Sequence, residues 1–176
     1  MGIQMKAIII AGALALSGIA GAALAQAPAA APAKPAYDYV TIRQELAVNK
    51  PAAEAWKKVG AYCGIKDWIA PGTVVPCVLT SGTGEVGTNR LIANRINEVM
   101  TAKTDLGYGY AQPLSPDQYH GFVEIAPTGK NTSKIVYTLV YDQSVAADQA
   151  AKDTKKTRLT AQFKKAMENM KAIAEK

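Results

Sequence analysis

The feature that most constrains this chain is its last long segment, about Ala146 to Ala174. Leu159, Phe163, Ala166, Met167, Met170 and Ile173 recur there at intervals of three and four, and Lys155, Lys156, Lys164, Lys165 and Lys171 occupy much of the rest. That spacing predicts an amphipathic helix, which must bury its apolar stripe against something large. The preceding sequence is strand-like: "TVVPCVLT" (73–80), "TNRLIAN" (88–94), "INEVMTAK" (96–103), "LGYGYAQ" (106–112), "QYHGFVEIA" (118–126) and "SKIVYTLVYDQ" (133–143). Turns of Gly, Pro, Asp and Asn separate these pieces. Further upstream, "YDYVTIRQELAV" (37–48) reads as another strand. "NKPAAEAWKKVGAY" (49–62) reads as a helix capped by Asn49 with Pro51 in its first turn, and "IKDWIAPG" as a second short helix or turn. Pro76 implies an edge or irregular position for its strand. The expected class is α+β: a curved antiparallel sheet of about seven strands, two short helices after the first strand, and a long C-terminal helix that the sheet wraps.

Residues 1–25 read as a signal peptide. Met1 to Lys6 is short and basic, Ala7 to Leu24 is apolar, and Ala23-Leu24-Ala25 is the small-x-small pattern of a cleavage site. The competing reading is a membrane anchor, but the segment is barely long enough to span and no aromatic or basic belt follows it. Residues 26–36, "QAPAAAPAKPA", have nothing to bury and read as an extended linker. The expectation is a domain over 37–176 that is periplasmic or secreted after cleavage near Ala25.

The chemical inventory is short. His120 is the one histidine, so a multi-histidine zinc site is excluded, and no cofactor or metal is expected. Cys63 and Cys77 are the two cysteines. They could form a metal site, a redox pair, a nucleophile or a staple. They are not C-x-x-C, and an exported chain with an even cysteine count favours a disulfide. "GTGEVG" (82–87) matches a dinucleotide fingerprint by letter, but a strand-like segment follows where a helix is needed, so it reads as a turn. The "NTS" at Asn131 also lies in a turn-like stretch, and no G-x-S-x-G is present. The net charge of +6 admits plain solubility or transient contact with an anionic membrane surface. With no basic run interleaved with aromatics, nucleic acid is not expected as a partner.

The order of elements is a helix-grip arrangement, and several stretches resemble the START/SRPBCC superfamily in its polyketide cyclase/dehydratase and lipid-transport-like branch. "PAAEAWKKVGAYCGIKDW" is similar to that family's opening, with Trp56 and Trp68 on its two tryptophans and Ala55 where Val is usual. "GEVGTNR" resembles its strand start and places Arg90 on the family arginine, and Glu98 falls where a glutamate is common. "YGYAQPLSPDQYHGFVEIAPTG" and "SKIVYTLVYD" resemble the later strands, with Tyr137 where Trp is common. The resemblance implies an internal cavity for a hydrophobic or aromatic small molecule or lipid. It does not choose between carrier, enzyme and partner-binding accessory protein.

Candidate site residues come from strand alternation for the tyrosines, from the final helix for Phe163 and Met167, and from the resemblance, which implies a place at the cavity mouth, for Trp68. Trp68, Tyr108, Tyr110, Tyr119, Tyr137, Tyr141, Phe163 and Met167 are candidates for the pocket wall, or simply for the core beneath the final helix. Arg90 and Glu98 can meet on adjacent strands, either as a base beside a polarising cation or as a cross-strand ion pair. His120 falls on the face opposite Tyr119. The expected function is binding or carriage of a hydrophobic ligand. A cyclase or dehydratase activity and an envelope accessory role are the alternatives.

Overall fold

The computed structural model describes residues 36–176; the expected signal peptide and the Ala/Pro stretch up to residue 35 lie outside the described residues. The strands are β1 (Tyr39–Val48), β2 (Cys77–Ser81), β3 (Asn89–Ile92), β4 (Ile96–Thr104), β5 (Gly107–Ala111), β6 (His120–Gly129) and β7 (Thr132–Asp142). The helices are α1 (Ala52–Val59), α2 (Ile65–Trp68) and α3 (Gln149–Ala174), with a 3-10 turn at Tyr62–Gly64 between the first two. The seven strands form one antiparallel sheet in the order β1-β7-β6-β5-β4-β3-β2. Every pair except β1–β7 joins sequence neighbours, so most of the sheet is a meander whose first strand returns to pair with its last. No helix among the described residues is long and apolar enough to cross a membrane.

The α3 stripe is buried as its spacing requires: Leu159, Phe163, Ala166, Met167, Met170 and Ala174 are all covered. The same core holds Val123 and Ile125 of β6 and Ile135, Tyr137, Leu139 and Tyr141 of β7, the alternate residues of their strands, with α3 packed on β1, β7 and α1. Each large apolar side chain taken from water here contributes roughly 1.5–3 kcal/mol. Polar ties hold α3 in register. The Ala151 N–H donates to the Asp148 side chain at 2.8 Å, capping the helix at its start. Near its other end, Asn169 Nδ2 donates to the Trp68 carbonyl at 2.9 Å.

The segment expected as one helix over 49–62 is broken. Asn49 does not cap it: its N–H donates to Glu175 Oε1 at 2.7 Å, and Pro51 occupies the cap. The helix ends at Gly60, where the Trp56 indole lies against the backbone and leaves no room for a side chain. A Cβ at Gly60 would sit 2.3 Å from Trp56 Cε2. The "GTGEVG" stretch is a loop, and its three glycines have φ of +74°, +116° and +93°, a region side chains disfavour. Pro76 precedes β2, which is an edge strand.

Cys63, in the 3-10 turn, is bonded to Cys77 at the start of β2, with Cα atoms 5.5 Å apart. The bond pins the α1–α2 turn to the edge of the sheet. A closed loop of this size removes about 3 kcal/mol of unfolded-chain entropy. The double variant Cys63→Ser/Cys77→Ser is expected to keep its far-ultraviolet spectrum but lose about that much stability in urea titration. Native oxidised protein is expected to take up no alkylating label.

Candidate functional site

Arg90 on β3 and Glu98 on β4 are direct cross-strand partners. Both are interior, with side chains 0% and 4% exposed. Arg90 Nε and Nη2 donate to the same Glu98 oxygen, Oε2, at 2.8 and 2.5 Å. The other oxygen, Oε1, accepts from Gln112 Nε2 at 2.9 Å. Arg90 Nη1 donates to the Tyr62 carbonyl. The guanidinium carbon also stands 4.0 Å from the Tyr62 ring centroid, 5.5 Å from that of Tyr108 and 5.4 Å from that of Tyr110. Burial works against the Arg90 charge, but the Tyr108 hydroxyl and the Glu98 carboxylate outweigh it, and its pKa is raised. Both groups are thus engaged with each other and with fixed neighbours. The geometry is that of an ion pair, with no donor of Arg90 aimed at an incoming carbonyl.

Two cavities flank this pair. The first, of about 370 Å³, lies between the N-terminal half of α3 and the β3–β5 region. Its apolar wall is Ile65, Ile69, Ile92, Ile96, Leu159 and Phe163. Its polar wall includes Tyr110, Tyr119, Glu98 and Gln112, with Asp117 and Lys155 toward one end. The second, of about 430 Å³, is walled by Trp56, Tyr62, Met100 and Tyr108 beside Cys63. Arg90 lines neither cavity.

Among the expected pocket residues, Tyr110, Tyr119 and Phe163 line the first cavity. Tyr110 fits because it pairs across strands with Gly121, where a Cβ would lie 2.7 Å from the Tyr110 hydroxyl. That hydroxyl is 3.0 Å from the hydroxyl of Tyr137, and burial raises the pKa of both phenols. Tyr108 lines the second cavity. Trp68, Tyr137 and Tyr141 line neither and pack in the core. The Trp68 ring meets Tyr137 edge-on at 6.3 Å, Tyr137 packs tilted against Phe163 at 4.7 Å, and Tyr141 lies under Lys155 Nζ at 4.4 Å. Met167 is buried on α3 apart from both cavities and lines a separate one of about 260 Å³ between α3 and β1, with Leu46 and Lys164. His120 pairs with Ala111 and Val140, is half-buried, and lines neither cavity.

Sequence reasoning missed the isoleucine wall and the Asp117–Lys155 pair. Asp117 sits in "PLSPDQY", whose Pro and Asp signal a turn, and the turn carries it to α3. Its side chain accepts hydrogen bonds from Lys155 and Ser115. Burial alone would raise the Asp117 pKa, but these bonds outweigh it and hold the carboxyl below its ordinary value.

Two outcomes follow from this geometry. Glu98→Ala is expected to cost about 3–5 kcal/mol, because it leaves Arg90 buried without a counter-charge, whereas Arg90→Met/Glu98→Leu loses far less. Urea midpoints of the single and double variants measure the difference. The depressed Asp117 pKa gives stability that is full above the unfolded value of about 4 and is lost as pH falls through the folded value. Wild type is therefore expected to lose more stability on acidification from pH about 5 to about 2 than Asp117→Asn does.

Comparison with known proteins places this architecture. Residues 39–175 match the family described as polyketide cyclase / dehydrase and lipid transport. No curated protein sequence matches the chain. Among solved structures, a Thermobifida fusca protein superposes with a TM-score of 0.60 at 18% identity, covering 74% of this chain and 90% of its own. The protein XoxI from Bacillus cereus gives 0.58 at 17% identity, covering 75% and 93%. Ara h 8.0201 gives 0.60 at 13% identity, covering 78% and 98%. A helix-gripping seven-stranded sheet with a family match over nearly all its described residues makes this chain a member of the polyketide cyclase / dehydrase and lipid transport family, within the START/SRPBCC superfamily.

Proposed function

We propose that the protein is an exported binding or carrier protein for a small amphipathic molecule, held in the cavity between α3 and the β3–β5 region. The observation that carries this reading is the mixed lining of that cavity. Six apolar side chains line it together with tyrosine residues, Gln112 and charged side chains. Such a lining suits a ligand with an apolar or aromatic body and a polar end. The volume of about 370 Å³ is at the small end of ligand sites, which favours a single chain or ring system over a two-tailed lipid. Binding is favoured over turnover because Glu98 and Arg90, the strongest acid–base candidates, are committed to each other. The disulfide supports an oxidising compartment, in keeping with a cleaved leader over 1–25.

The test uses the neutral fluorescent probe N-phenyl-1-naphthylamine. Ile96→Trp, which fills the cavity from its half-buried wall, is expected to weaken probe binding about tenfold or more. Tyr141→Phe is the control: its hydroxyl is buried without a hydrogen-bond partner among the described residues, and it lines neither cavity flanking the Arg90–Glu98 pair. That variant is expected to bind as wild type. Full affinity in Ile96→Trp would remove this cavity as the binding site.

A further inference from the structure

Building on that cavity as the ligand site, we propose that its ligand carries an anionic head, a carboxylate or phosphate, received by Arg95 and Arg158. Five charged side chains line the cavity: Arg95, Glu98, Asp117, Lys155 and Arg158. Glu98 is neutralised by Arg90, and Asp117 by Lys155. Arg95 and Arg158 form no salt bridge among the described residues. Two exposed, unpaired guanidiniums thus line the cavity, one from the β3–β4 turn and one from α3. An anionic group entering there gains two cationic partners that a neutral ligand does not engage.

The local structure presents these groups to the cavity. Arg158 stands one position before Leu159, whose side chain forms part of the apolar wall. Its Nη1 donates to Oε1 of Gln162, another residue of the cavity, at 3.4 Å. Arg95 closes the β3–β4 turn, where its N–H donates to the Ile92 carbonyl at 3.1 Å. That turn holds Ala93 and Asn94 at φ of +52° and +56°. Left-handed backbone at two successive residues makes this a tight hairpin turn, and Arg95 follows it directly. The Ala93 N–H is anchored to the Pro76 carbonyl at 2.8 Å, just ahead of the disulfide-bonded Cys77. A guanidinium is weakly hydrated and matches the planar edge of a carboxylate or phosphate with paired donors. With Ile69, Ile96, Leu159 and Phe163 beside it, the arrangement fits a single-chain amphiphile, head at the arginines and tail along the isoleucines.

The test compares three probes of one tail length on the delipidated full chain by calorimetry: decanoate, decyl phosphate and decanol. At least one anionic probe is expected to bind about tenfold or more tightly than decanol. The tighter of the two identifies the head as carboxylate or phosphate. The preference is expected to shrink with added salt and to disappear in Arg95→Gln/Arg158→Gln. Both arginines are exposed, so the variant is expected to keep its melting temperature. Decanol binding as tightly as both anions would overturn the anionic head while leaving the cavity as a binding site. Retention of the preference in the double variant would overturn the assignment to these arginines. Failure of all three probes would overturn the cavity reading and the head with it.

Discussion

The structure depends on burying one stripe of α3. A 26-residue helix with six covered positions along one side cannot satisfy that stripe from short neighbouring helices. It needs a broad apolar surface, and the concave face of a twisted antiparallel sheet provides it. The sheet curves, and irregularities such as the register shift between Met100 and Ala102 in β4 accommodate such curvature. The helix rests chiefly on β1, β7 and α1, and α1 in turn covers β6. The cavity lies between the N-terminal half of α3 and the β3–β5 region, which makes no comparable contact with the helix.

Beside that cavity the chain places an arginine and a glutamate where an apolar layer would be simpler. Burying such a pair is unfavourable unless nearly every donor and acceptor is matched. Here the carboxylate accepts from Arg90 and Gln112, and the guanidinium is walled by three tyrosine rings. The consequence is spatial as much as energetic. Tyr110 and Glu98 face one cavity and Tyr62 and Tyr108 the other, so the pair stands between two smaller spaces. A partition of this kind limits ligand size from within, which agrees with a carrier of single-chain or single-ring molecules.

Family membership and fold are compatible with several activities, and the structural neighbours share under a fifth of their residues with this chain. What distinguishes this chain within the fold is the set of side chains lining its cavity. Those side chains are mostly already paired with one another, which suits retention of a ligand better than chemistry on it. The disulfide serves the same end from outside. It holds the turn after α1 against β2, next to the Pro76 carbonyl that anchors the β3–β4 turn.

By itself the sequence determined the class, the order of elements, the helix stripe and the pairing of Cys63 with Cys77. These follow from periodicity, turn residues and cysteine count, which are local or compositional properties. It also brought Arg90 opposite Glu98, because strand register is set by short turns. It could not separate wall from core among the tyrosines. Tyr108, Tyr110 and Tyr137 all face inward, and alternation cannot say which inward residue meets a void and which meets Phe163 or Trp68. It also could not see the Ile65–Ile96 wall, Asp117 beside Lys155, or two arginines without counter-charges. Those depend on how far β3 to β5 stand from α3, a distance set by packing between elements remote in the chain, and only the tertiary structure decided it.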